Sequence, residues 1–201
     1  MEVLRVICRF IFCFIFRVKV YGAEKMPEKG GVVVAANHEG MLDMFLIGYR
    51  LKRYVKWMAK EELFKNKLLG KIFKACGAYP VKRNSRDFAA ARTTFQLLEK
   101  GEAVGIFPQG TRSKGEGRNN KAKHGVAKFA VEAGVPVLPV AIWGKARLFG
   151  KIYVRFGDVI NLPPETEENK YQKQDYLKMA QDILDNIYSM MEVPKNENHP
   201  S

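Results

Sequence analysis

The sequence predicts an α/β fold, a single domain with a mostly parallel central sheet flanked by helices. Three observations point there. Short apolar runs such as Val32–Ala36 read as buried strands. Segments with helical spacing of apolar residues alternate with them along the chain. Polar motifs follow two of the runs, after Ala36 and after Phe107, at the strand ends where α/β proteins bind and react. The chain has 201 residues and is 47% hydrophobic, enough for one domain with a core and too apolar for a disordered chain.

The first element is "VLRVICRFIFCFIFRVKV", an apolar stretch interrupted by Arg5, Arg9, Arg17 and Lys19. Its longest uncharged run, Phe10–Phe16, is far short of the roughly 20 apolar residues that cross a bilayer. Its charges are scattered and no small-residue cleavage site follows, so it is not a signal peptide. Apolar side chains with long basic ones among them suit a helix lying in a membrane interface. Residues 1–22 are therefore expected to form an N-terminal amphipathic, membrane-associated helix. The remaining boundaries are an α/β domain over 23–192 and a disordered tail over 193–201.

Within the domain, Val32–Ala36 and Tyr54–Ala59 read as strands. Leu63–Ala75 has helical spacing at 64, 68, 69, 72, 73 and 75, and Gly77 ends it. "AYPV" is extended. Ser85 can cap a helix whose apolar face holds Phe88, Ala91, Phe95 and Leu98, ended by Gly101. "AVGIFP" is a strand, residues 109–121 a glycine-rich basic loop, and Ala122–Ala133 a helix. "VPVLPVAIW" is a strand that Pro136 and Pro139 assign to an edge or an irregular position. "IYVRFG" is the last strand and Tyr176–Met191 the last helix.

Net charge is +13 and unevenly placed. Acidic residues outnumber basic ones eight to four from Glu165 onward, so the first 164 residues carry +17. Twelve Lys or Arg lie between Arg50 and Arg86 against Glu61 and Glu62 alone. Such a field suits a phosphate-bearing partner: nucleic acid, an anionic membrane, or an acidic carrier or substrate. No nucleic-acid-binding module signature is present, and the aromatics fall mostly at core spacing. The three cysteines, Cys8, Cys13 and Cys76, form no C-x-x-C pair, which argues against a disulfide framework or a zinc site.

The chemistry-bearing residues start at "NHEGMLD". On a continuous helix, residues five apart point in different directions. His38 and Asp43 can meet only if His38 lies on a strand-to-helix turn and its ring folds back over the first helical turn. The pair is then a base and its orienting carboxylate. The other reading is a capping aspartate beside a surface histidine, and spacing alone leaves both open. No second histidine at helical spacing supports a metal, and no G-x-S-x-G supplies a serine nucleophile. In "IFPQGTRSKG", backbone N–H groups, hydroxyls and Arg112 can converge on a phosphate.

Together these motifs resemble those of the glycerolipid acyltransferase family that acylates 1-acylglycerol 3-phosphate. "NHEGMLD" matches that family's N-H-x-x-x-x-D block, "GAYPVKR" its second, "FPQGTRS" its F-P-E-G-T-R-S block and "VPVLPVAI" its fourth. "KHGVAKFAVEAGVP" is similar to the segment joining the last two, and the resemblance covers roughly residues 20–160. It implies that His38 is the general base and Asp43 its partner. The acceptor's sn-2 hydroxyl would attack an acyl thioester or acyl phosphate directly, without an acyl-enzyme. Lys82, Arg83 and Arg112 would hold the acceptor's phosphate. Gln109, Gly110 and Thr111 would bind and position substrate, and Pro139 would shape the acyl pocket. Gly40 and Gln109 stand where the family usually has serine and glutamate. The implied product is phosphatidic acid, made without metal or cofactor at the cytoplasmic face of the cell membrane by a peripheral or monotopic protein. The implied partners are lysophosphatidic acid, acyl carrier protein or acyl-coenzyme A, and an anionic membrane surface. The other readings are acylation of a different lyso-lipid or of glycerol 3-phosphate, a covalent route through Ser113, and a non-enzymatic, basic nucleic-acid-binding protein. His124 and His199 read as incidental.

Overall fold

The computed structural model describes residues 17–48, 50–75, 77–82, 88–112, 121–144, 150–168 and 170–192, without the side chains of Leu69 and Ala75. Seven strands form one sheet: β1 (Arg17–Tyr21), β2 (Val32–Ala36), β3 (Val55–Lys60), β4 (Ala78–Val81), β5 (Ala103–Ile106), β6 (Val137–Gly144) and β7 (Lys151–Phe156). Their order is β1-β7-β6-β2-β5-β3-β4. β6, β2, β5, β3 and β4 are parallel; β7 is antiparallel to β6 and carries β1 parallel to itself. The helices are α1 (Asp43–Gly48), α2 (Lys67–Ala75), α3 (Phe88–Glu99), α4 (Gly125–Glu132) and α5 (Lys173–Ser189).

Every residue of β2 is buried, as a central parallel strand requires. Val32, Val34 and Ala36 face one layer with Leu46 and Ile47 of α1, Trp57 and Phe156. Val33 and Ala35 face the other, against Leu98 of α3, Val126 and Ala130 of α4, and Ile183 and Leu184 of α5. After β2 the chain crosses to β3, on the β5 side; after β5 it crosses to β6, on the other side of β2. The connections diverge between β2 and β5, so the loops after these strands frame a crevice. At the opposite end of the sheet the Arg53 guanidinium donates to the carbonyls of Pro27, Gly30 and Gly101 at 2.5, 2.8 and 2.6 Å, tying the approaches to β2 and β5 together.

Several sequence expectations are corrected. Arg17–Tyr21 is a strand, not the end of a helix; Val18 and Val20 alternate with Arg17 and Lys19 at the strand period of two. The rest of the expected N-terminal helix and the tail from 193 lie outside the described residues. The helix expected over 63–75 is a 3₁₀ turn (Glu61–Phe64) followed by α2. Asn66 separates them, its side-chain oxygen accepting the Leu68 N–H at 3.0 Å as a cap does. α3 buries Ala90, Thr94 and Leu98, while Phe88 is 77% exposed. β6 is interior, not an edge. Pro139 is tolerated because it faces the irregular chain after β7: Gly157 N–H donates to the Pro139 carbonyl, Val137 pairs next with Ile160, and three steps on one side meet two on the other.

Gly105 of β5 lies beside Trp57 of β3 in register. A Cβ there would come within 2.4 Å of the indole ring. Gly105→Ala is expected to destabilise the fold by about 1–3 kcal/mol through overpacking, measured by urea denaturation. A midpoint equal to the parent's would show that the indole can move aside.

Candidate active site

Asn37 ends β2. Continued pairing would set main-chain groups of β2 against Ile142 of β6, but the Asn37 side chain takes their place. Its Nδ2 donates to the Ile142 carbonyl at 2.7 Å and its Oδ1 accepts the Ile142 N–H at 2.8 Å. Asn37 is fully buried. The amide substitutes for a peptide group, so β6 keeps its hydrogen bonds while the main chain turns out of the sheet. His38 is the first residue released.

Asp43, 3% exposed, opens α1. Its Oδ2 accepts His38 Nδ1 at 2.7 Å and the N–H groups of Glu39 and Gly40 at 2.7 and 2.8 Å. One carboxylate oxygen therefore shapes the turn and orients the imidazole, which is the fold-back that the spacing required. A carboxylate only accepts, so Nδ1 carries a proton, and in the neutral ring the lone pair is then on Nε2. Nε2 has no hydrogen-bond partner among the described residues. The ring stacks on Phe107 (4.0 Å, 15°), and Phe107 stacks on Trp57 (4.8 Å, 23°). A Cβ on Gly40 would sit 3.7 Å from Asp43 Oδ1, so the serine usual at this position would fit.

Gln109 does not line either cavity beside the histidine. It is 4% exposed, accepts the His38 N–H through Oε1 at 2.9 Å and donates through Nε2 to the Tyr188 hydroxyl of α5 at 2.6 Å. These two bonds tie the His38 main chain to α5. Gly110 turns the chain with φ 70°, its N–H bonded to the Phe107 carbonyl, and a Cβ there would meet the Lys123 side chain at 2.9 Å. Thr111 and Arg112 are exposed.

Two cavities flank Phe107 and share Met58 as a wall. One, of about 50 Å³, is lined by His38, Arg112 and Lys60. The other, of about 320 Å³ and largely apolar, is lined by Lys82, Gly110, Lys123 and His124. Burial, then Lys173 and Lys128, lower the pKa of His124, which favours its neutral form. The structure thus brings His38 and Arg112 to one cavity, with Asp43 bonded to the histidine but outside that lining, and places Lys82 at the neighbouring cavity. Arg83 and Ser113 lie outside the described residues. Pro139 is buried in β6 and lines neither cavity. Sequence reasoning missed Asn37, Phe107, Trp57, Lys123 and Tyr188. Asn37 had a signal, a buried amide ending an apolar run; Tyr188 had none, being 79 residues from its partner. Among the described residues no group of three or more His, Cys, Asp or Glu is placed to hold a metal ion.

The acyltransferase family model matches residues 17–143, which include His38, Asp43 and Gln109–Arg112. The chain belongs to the acyltransferase family. This acyltransferase is 38% identical over 128 residues to the 1-acyl-sn-glycerol-3-phosphate acyltransferase of Bacillus subtilis (strain 168), a match covering 63% of each chain and so less than two thirds of that relative. It is 27% identical over 179 residues to the protein of the same description from Borreliella burgdorferi, covering 84% of this chain and 70% of the other. The crystal structure of the 1-acyl-sn-glycerophosphate (LPA) acyltransferase, PlsC, from Thermotoga maritima shares its fold, with a TM-score of 0.70 at 22% identity over 96% of this chain and 80% of that one. α5, which carries Tyr188, lies beyond the family match.

Gln109→Glu in this acyltransferase reverses the bond to Tyr188, whose hydroxyl then donates to a carboxylate. Activity is expected to stay within about tenfold of the parent, roughly 1.4 kcal/mol. Tyr188→Phe should cost more stability in the Gln109→Glu background than in the parent, by about 1 kcal/mol, because a buried charge loses a donor. A double-mutant cycle by urea denaturation measures the difference, and strict additivity would break the link.

Proposed function

We propose that the protein transfers a fatty acyl group from an activated donor to the sn-2 hydroxyl of 1-acylglycerol 3-phosphate, forming phosphatidic acid. The observation that carries this reading is the His38–Asp43 bond of 2.7 Å, with Nε2 unbonded among the described residues and His38 lining a cavity together with Arg112. Asp43 holds the tautomer; Nε2 removes the hydroxyl proton as the oxygen attacks the donor carbonyl. The C–S bond of a thioester then breaks, and the proton on Nε2 passes to the leaving thiolate. Arg112, with Lys82 and Arg83, binds the acceptor's phosphate. The Bacillus and Borreliella relatives, each a 1-acyl-sn-glycerol-3-phosphate acyltransferase, support this acceptor.

The net charge of +13 suits an acidic donor, acyl carrier protein or acyl-coenzyme A, and an anionic lipid surface. No helix among the described residues is long and apolar enough to cross a membrane. Peripheral attachment at the cytoplasmic face of the cell membrane fits both observations.

An assay with lysophosphatidic acid and a panel of acyl-carrier-protein and coenzyme A thioesters tests the reading. Transfer to glycerol 3-phosphate alone, or none with any donor, would refute it. His38→Ala should lower kcat by about 10²-fold or more with the fold intact, the usual scale of positioned general-base catalysis. Near-parental turnover would remove His38 from the mechanism. Arg112→Lys should raise KM for lysophosphatidic acid well above any change in KM for the donor, because lysine cannot form the two parallel bonds of a guanidinium. Equal changes in both would indicate a general structural role instead.

A further inference from the structure

The surface around the His38 cavity carries large apolar side chains that neither the core nor the chemistry uses. α2 leaves Leu68 70% and Ile72 40% exposed, and the turn after His38 leaves Met41 58% exposed. At about 3.6 residues per turn, Leu68 and Ile72 stack in one row and Lys67, Lys71 and Lys74 form the next. All three lysines are exposed, Lys65 precedes them in the same state, and α2 contains no acidic residue. The orientation of α2 is fixed from its other side. Phe73 packs against Phe45 and Phe64, with ring centroids 6.5 and 6.1 Å apart, and Gly70 lies so close to the turn before it that a Cβ would come 2.9 Å from the Phe64 carbonyl. The helix therefore presents its leucine–isoleucine row outward next to its lysine row.

This face adjoins the chemistry. Met41 and Phe73 line the same cavity as His38 and Arg112. β1 also begins at this end of the sheet: Arg17 pairs with Lys151, and β7 begins opposite Gly144, at the end of β6 that shares its direction with β2. Phe88, 77% exposed, opens α3 after β4 has ended on the same side.

We propose that α2, with Met41, is a docking face for an anionic lipid bilayer. Leu68, Ile72 and Met41 enter the boundary between headgroups and acyl chains, while Lys65, Lys67, Lys71 and Lys74 meet lipid phosphates. An acidic donor protein would match the lysines but would set the apolar row against charge, so a bilayer is the better fit. The arrangement lets a lipid acceptor keep its acyl chain in the bilayer while its head reaches Arg112 and His38. Only that last consequence rests on the proposed substrate; binding itself needs no turnover.

The test uses the full chain and sedimentation with phosphatidylcholine vesicles containing phosphatidylglycerol. Leu68→Asp with Ile72→Asp should lower partitioning at least tenfold, and Lys67→Glu with Lys71→Glu by a similar factor, each lysine contributing on the order of fivefold. The lysine effect should fade as salt rises, and the leucine–isoleucine effect should persist. Both side-chain rows are exposed, so circular dichroism and urea midpoints should match the parent. Amide exchange across α2 should slow when the vesicles are added. Unchanged partitioning in both variants, or unchanged exchange, would overturn the proposal. So would parental vesicle binding accompanied by a raised KM for an acyl-carrier-protein donor, which would assign the face to that protein.

Discussion

One carboxylate oxygen organises the end of the sheet where the site lies. Asp43 Oδ2 gathers His38 Nδ1 and the N–H groups of Glu39 and Gly40 within 2.8 Å. Those contacts define the turn, the start of α1 and the imidazole tautomer together. Asp43 is nearly sealed from water, so these donors replace the hydration that a carboxylate otherwise needs. The shape of the turn and the orientation of the imidazole thus depend on the same atom.

Around that atom several contacts hold the ring in place. Asn37 locks the preceding residue to β6, Gln109 holds the His38 N–H, and Phe107 backs the ring with Trp57 behind it. Gly105 leaves the space that the indole occupies. This support comes from four strands and, through Tyr188, from the last helix. In the proposed reaction, an imidazole held in this way needs no reorganisation as charge develops on it.

Electrostatics follows a different pattern. The basic residues do not converge on one point: Arg112 and Lys60 flank the histidine's cavity, Lys82 and Lys123 the adjoining apolar one, and the lysines of α2 lie outside both. Parts of one broad positive field thus face different surroundings: the histidine's cavity, an apolar chamber and open solvent.

The sequence by itself determined the α/β class and most of the run of elements, and it offered the His38–Asp43 pairing as one of two readings. Each rests on information a few residues long: apolar runs, glycine stops, and a histidine and aspartate at a spacing that closes over one turn of chain. What it could not supply was which apolar residues lie inside. Leu68, Ile72 and Phe88 carry the periodicity of a buried face, yet burial depends on whether another element covers that face, and none among the described residues does. Pro139 marked an edge or an irregular strand, and the structure has the irregular one; the sequence could not choose because the irregular chain opposite it is set by residues 157–160. Gln109 carried its family position in the sequence, but its partners are 71 and 79 residues away. Only the assembled tertiary structure decides such contacts, because a hydrogen bond at 2.9 Å depends on distance in space and not on separation along the chain.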